Sequence, residues 1–235
     1  MKNTHQLIYL FAGGRGRKIM DTFSSISEVL QSTGKVKPDV AYIGVASTQD
    51  NWLFYFIIAT LMKMKCKCRI YHVKIAGRNA DLHKARIQVE KADVVFFSGG
   101  DVEAGMQILH EKKMSTFFRE QADRGKLYIG VSAGSILMSQ EWVRWRDPDD
   151  DTTAEIFPCL GLVTIICDTH AEKDDWIELK TALTLKPPGT TGFGIISGAC
   201  LVICPDRHME AKYGPVAQFQ NKDGQIIRRA DILPE

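Results

Sequence analysis

The apolar positions in the first half of the chain fall into short runs separated by longer stretches with a helical period. Five runs rich in β-branched and aromatic residues occupy 6–12, 39–46, 69–75, 93–98 and 126–131. Between them, 19–30, 52–64, 80–91 and 103–124 carry the three- and four-residue apolar spacing of helices that bury one face. The short runs are apolar at consecutive positions rather than at every second one, as expected of strands covered on both sides. The alternation predicts a mainly parallel central sheet between two helical layers, an α/β/α architecture.

The C-terminal third has a different texture. LVTIICDTH, GFGIISG, ACLVICP and GPVAQFQNKDGQII read as shorter strands, and Asn221-Lys222-Asp223-Gly224 as a hairpin turn. No repeat or low-complexity linker sets this part aside, so the expectation is one domain over 1–235. In a parallel sheet the loops after the strands gather at one edge, where ligands bind. That edge collects Gly13-Gly14-Arg15-Gly16, Ser47-Thr48-Gln49, Gly99-Gly100-Asp101 and Ser132.

Composition narrows the partners. The 235 residues are 45% hydrophobic, enough for a sizeable core, and 30 Lys and Arg face 28 Asp and Glu with the signs interspersed. A net charge of +2 leaves no electrostatic footprint for nucleic acid or an anionic membrane. The longest apolar stretch, 52–62, is far shorter than the roughly 20 residues of a membrane-spanning helix and is expected as a buried helix. MKNTHQLIYLFAGG lacks the architecture of a signal peptide, and Cys159, Cys167, Cys200 and Cys204 lie among apolar residues, so the expected location is the cytoplasm. Cys66 and Cys68 form the one close pair, with no second pair at metal-site spacing, and read as structural thiols. No metal or cofactor is implied, and a homodimer stays open as an assembly.

Candidate chemistry centres on YIGVSAGSIL, residues 128–137, where a strand pattern stops and a helix pattern begins. A serine there is either a turn residue or a nucleophile. For a nucleophile on a strand–turn–helix elbow, small neighbours leave room for the substrate, and Gly130, Ala133 and Gly134 meet that need. The amide of Ala133 would face a developing oxyanion, and the Gly99-Gly100 turn is placed to add a second donor. GGRGRK lacks the spacing of a dinucleotide loop. Arg15 and Arg17 are either solvated or hold a substrate carboxylate, and Asp101 joins Arg15 as a substrate-binding candidate at the same edge.

VVFFSGGDVEAGMQIL followed by LYIGVSAGSIL, then CDTH and GFGIISGACLVI, resembles the aspartyl dipeptidase (peptidase E) and cyanophycinase family of serine peptidases. The likeness covers most of the chain and implies the flavodoxin-like, class I glutamine amidotransferase-like fold. It implies Ser132 as nucleophile, Gly100 and Ala133 as oxyanion donors, His170 as general base and a small peptide as substrate. Independently of the family, a serine hydroxyl needs a base within reach, and histidine suits neutral pH. The family usually carries Glu or Asp where this chain has Ser197. A serine cannot supply the charge that orients the histidine, which predicts slow hydrolysis unless another carboxylate takes over. Asp168, Glu172, Asp174 and Asp175 are the candidates nearest in sequence. After His170 the chain reads AEKDDW where the family often has arginines, which argues against an aspartyl side chain there.

Two functions are therefore carried forward. The first is a dipeptidase-like serine hydrolase cleaving a small peptide, with aspartyl peptides left open, through an acyl-enzyme on Ser132. The second is a binding or regulatory homologue whose catalysis is weakened at Ser197. An acyl hydrolase acting on a non-peptide substrate is a smaller third.

Overall fold

A computed structural model describes residues 7–14, 17–47 and 51–234 of the chain. Ile8–Phe11 (β1) leads through Arg17–Gln31 (α1) to Asp39–Ile43 (β2), and Trp52–Cys66 (α2) leads on to Arg69–His72 (β3). Leu82–Lys91 (α3), Val94–Phe97 (β4), Val102–Glu111 (α4), Ser115–Asp123 (α5) and Leu127–Val131 (β5) follow. These five strands pair in parallel in the order β1-β5-β4-β2-β3. The chain moves outward from β1 to β3 and then returns, and right-handed crossovers place helices from opposite directions of travel on opposite faces. Accordingly α1 and α2 cover one face, and α3, α4 and α5 the other.

Strand residues sort between the two cores by parity. Ile8 and Leu10, Ala41 and Ile43, and Val95 and Phe97 enter one core. Tyr9 and Phe11, Val40 and Tyr42, and Val94 and Phe96 enter the other. Burial on both faces is why these runs are apolar at every position.

The long helical stretch at 103–124 is two helices. Lys113 takes a left-handed conformation at φ 51°, and Met114 is fully buried at the junction. The bend turns Phe117 and Phe118 of α5 back into the core. Lys112-Lys113-Met114 holds no glycine or proline, so no breaker marks the interruption in the sequence.

The expectation of a buried helix at 52–62 is corrected. Helix α2 buries Ile58, Ala59, Met62 and Cys66 but leaves Trp52, Leu53, Phe56 and Ile57 exposed. It flanks the edge strand β3 and packs on α1, which covers one face of the helix only.

After β5 come Ala133–Met138 (α6), Glu141–Trp145 (β6), Ala154–Pro158 (β7), Ile166–Thr169 (β8), Ile177–Thr184 (α7) and Thr191–Ile195 (β9). Cys200–Ile203 (β10), Met209–Lys212 (β11), Val216–Lys222 (β12) and Gln225–Ile232 (β13) complete the chain. Strands β10 and β11 return antiparallel beside β1, extending the first sheet to seven strands. The others form a second, six-stranded sheet in the order β13-β12-β9-β8-β6-β7. The hairpin turn falls at Asp223 and Gly224, both at positive φ, as a two-residue connection requires.

Helix α6 joins the two sheets. All six of its residues are buried, and it packs against β5 of the first sheet and β8 of the second. Among the described residues no helix is long and apolar enough to cross a membrane.

Candidate active site

Ser132 sits between the end of β5 and the start of α6 with φ 55° and ψ −127°, a conformation that a side chain tolerates poorly. The strain is held from several sides. The Ser132 N–H donates to the Phe11 carbonyl (2.9 Å), and the Ser135 hydroxyl donates to the same carbonyl (2.8 Å). Gly134 presses on the end of β4 so closely that a Cβ there would lie 2.2 Å from the Phe97 carbonyl oxygen. The strand–turn–helix elbow expected from G-V-S-A-G is thereby built.

His170 follows β8 of the other sheet. Its N–H donates to the Ile195 carbonyl (2.9 Å), and φ of 47° turns the side chain out of the strand alternation. Its Nε2 lies 2.7 Å from Ser132 Oγ, hydrogen-bond distance for proton transfer. The two residues are 38 apart in sequence and meet across the join between the sheets.

The Gly99-Gly100 turn runs beside the serine. A Cβ on Gly99 would stand 3.6 Å from Ser132 Oγ, so the backbone entering Gly100 passes directly by the hydroxyl. Gly100 adopts φ 143°, with the Ala46 carbonyl oxygen 1.9 Å from where a Cβ would be. Ala133 opens α6, and a first-turn amide has no acceptor within its own helix. The structure thus brings Ser132 and His170 together beside the Gly99-Gly100 turn and Ala133, with the serine at a strand end of the first sheet and the histidine supplied by the second.

The other sequence candidates fare differently. Arg15 lies outside the described residues, as do Thr48 and Gln49. Asp101 caps α4, its Oδ1 accepting the Ala104 N–H at 2.9 Å. Ser197 occupies the turn after β9, which is tied to the first sheet where the Gly198 N–H donates to the Gly13 carbonyl (2.8 Å). The Ser197 N–H donates to Glu172 Oε1 (3.3 Å), and its carbonyl accepts from Lys18 Nζ (3.1 Å). Burial would push the Glu172 carboxyl up, but the Ser197 hydroxyl and N–H and the Lys18 charge outweigh it and hold it below its usual range. Ser197 is therefore engaged by a carboxylate that reaches back from the segment after His170.

Asp168 is buried in β8 with one oxygen, Oδ1, accepting the Thr169 N–H (2.7 Å) and the other, Oδ2, without a partner among the described residues. Burial, and secondarily the Glu178 charge, pushes its carboxyl up to about 7. The folded protein therefore binds this proton more tightly than the unfolded chain does. The stability this group contributes is complete below its ordinary value of 3.8 and is lost as pH rises to about 7. Three pKa units correspond to a loss on the order of 4 kcal/mol. Asp168→Asn keeps the acceptor for Thr169 and removes the charge. Denaturant melts should show the variant more stable than the parent at pH 8, with the difference shrinking towards pH 4. Parallel pH profiles for the two proteins would refute this account of Asp168.

Sequence reasoning missed Glu178, in the first turn of α7. Its Oε2 accepts from Trp142 Nε1 at 3.0 Å. The signal available was an acidic residue early in an amphipathic helix, which is common for reasons of helix electrostatics alone.

Comparison with known proteins bears on the family and the fold. Residues 8–210 match the model of peptidase family S51. An uncharacterized peptidase of Listeria innocua is 26% identical over 146 residues, which is 62% of this chain and 66% of that protein. The match thus spans just under two thirds of the relative's length. A solved peptidase from an acI-B1 Actinobacterium superposes with a TM-score of 0.70 at 18% identity, covering 96% of this chain and 97% of its own. A protein described as peptidase E from Listeria monocytogenes EGD-e gives 0.59 at 18% identity, covering 88% and 98% respectively. At that identity the two structural likenesses speak for the α/β fold.

Proposed function

The chain belongs to peptidase family S51, and on that premise we propose that it is a serine-type peptidase cleaving small, dipeptide-sized substrates through an acyl-enzyme on Ser132. The observation that carries the reading is the 2.7 Å contact between Ser132 Oγ and His170 Nε2 on a strained elbow. His170 takes the hydroxyl proton as Oγ attacks the scissile carbonyl, forming the C–O bond of a tetrahedral adduct. The oxyanion faces the amides of Gly100 and Ala133. His170 then gives the proton to the leaving amine as the C–N bond breaks. Water, deprotonated by the same ring, cleaves the ester and restores the serine.

The rim supports a short peptide without an acidic side chain. Lys18 and Glu172, on either side of the Ser197 turn, present one charge of each sign. That pair suits the two termini of a small peptide better than an aspartyl carboxylate. All six cysteines are free, which supports a reducing cytoplasmic setting. One observation favours the second reading, a weakened binding homologue: position 197 offers a hydroxyl where the resembling family carries an acid.

A fluorophosphonate reagent decides between the two. Mass mapping should find the label on Ser132, and Ser132→Ala should abolish it with the circular dichroism melt unchanged. Native protein labelled at other serines with Ser132 untouched would sink the hydrolase reading and leave the binding homologue.

A further inference from the structure

A serine–histidine pair needs a third group, one that fixes the histidine ring and offsets the positive charge it carries midway through the reaction. None of the residues nearest in sequence fills that place. Ser197 brings no charge, and Glu172 is exposed and occupied with the Ser197 turn. Asp168 uses one oxygen on the neighbouring N–H of its own strand. Asp174 and Asp175 are exposed, and Asp175 pairs with Lys180 at 2.8 Å.

The first turn of α7 lies over the end of β8. Trp176 packs on Gly194, where a Cβ would come within 2.8 Å of the indole ring, and Leu179 packs on Gly192 in the same way (2.8 Å). Gly194 is the register partner of Asp168, so the Asp168 side chain and this helical turn share one side of the second sheet. Glu178 lies between Trp176 and Leu179 in sequence, is partly buried, and is held from β6 by the Trp142 indole. Of the carboxylates between His170 and the end of α7, it alone is not exposed.

We propose that Glu178, anchored by Trp142, is the positioning residue that orients His170 and offsets its charge, in place of an acid at position 197. The inference rests on the serine-peptidase reading of Ser132 and His170. Electrostatics agree with the placement. Burial raises the Glu178 carboxyl, while the Trp142 bond and the charge of His170 pull it back. Glu178 in turn helps to raise Asp168. The charge of His170 reaches Glu178 on α7, Glu178 and Asp174 in turn act on Asp168 of β8, and Glu172 and Lys18 interact with each other on the Ser197 side.

The test is the rate at which a fluorophosphonate labels Ser132, followed from pH 4 to 9 in the parent and in Glu178→Gln, Glu178→Asp, Trp142→Phe and Glu172→Gln. Glu178→Gln should slow labelling roughly 10²-fold, the low end for a general-base contribution. It should also move the acid limb of the profile to lower pH, because a negative charge beside the titrating groups is gone. Glu178→Asp should recover part of the rate, and Trp142→Phe should lose rate in the same direction with the melt unchanged. A structural role would lower the melting temperature without moving the acid limb. If the parent labels at Ser132 and Glu178→Gln matches it in rate and profile, the role of Glu178 fails and the peptidase reading stands. That role fails equally if Glu172→Gln alone shows the shift. If the parent does not label at Ser132, both readings fall.

Discussion

Removing the imidazole of His170 lowers the turnover of a small peptide by roughly 10⁴- to 10⁶-fold, the range found when a serine peptidase loses its base. The ring makes the 2.7 Å contact to Ser132 Oγ, and without it the hydroxyl has no acceptor for its proton in the attack. The variant should be chosen for its backbone as well. His170 sits at φ 47°, where alanine is strained and asparagine is tolerated, so His170→Asn separates loss of the base from loss of the turn. Both variants should lose activity alike, and the asparagine form should melt closer to the parent. His83 and His110 are exposed on α3 and α4, and replacing either should leave turnover within about twofold. Equal losses from all three histidines, with melts depressed in parallel, would mean that folding and not chemistry is being read.

The second large effect is expected at Gly100. An alanine there would drive its Cβ to 1.9 Å from the Ala46 carbonyl oxygen, backbone against backbone, at a φ of 143°. No rotamer change relieves that contact, so the turn carrying the proposed oxyanion amide must move away from Ser132. Turnover should fall at least about 10²-fold, as for loss of one oxyanion donor. Stability should fall by about 3 kcal/mol, within the range for overpacking a closed site. Gly161→Ala isolates the strain term, since Gly161 sits at φ 62° with nothing within 4 Å of the added carbon. That variant should cost about 1 kcal/mol and leave turnover unaffected. Urea melts and steady-state rates on the two variants check the pair. A fully active Gly100→Ala would remove Gly100 from the oxyanion site.

The central strands of the first sheet were readable from the sequence because both of their faces are buried, so β1, β4 and β5 stand out as unbroken apolar runs between polar loops. The elbow at Ser132 was readable for a local reason as well: such a turn needs small residues beside the serine, and Gly130, Ala133 and Gly134 lie close by in the chain. What escaped was non-local or unmarked. Glu141–Trp145 and Ala154–Pro158 form a hairpin closed by a loop of acids, and their side chains are only half-buried, which blurs the alternation. The division into two sheets depends on β10 returning to β1 while β9 pairs with β8 and β12, a choice of partners that periodicity does not encode. The bend at Lys113 follows from where Phe117 and Phe118 must pack. Glu178 escaped because its proposed role toward His170 depends on the docking of a helix on a sheet and on an indole from a third element.

Helix α6 ties together properties that many enzymes keep apart. It begins at Ser132, and its buried side chains are also the mortar between the two sheets that carry Ser132 and His170. A substitution at Ile136, Leu137 or Met138 is therefore expected to cost robustness and activity together, because loosening the seam moves Ser132 and His170 apart. Inherited variation should be tolerated in the outer helices and in the β12–β13 hairpin long before it is tolerated in these six residues. A laboratory search for new specificity would do better at the rim, around Lys18 and Glu172, than along the seam.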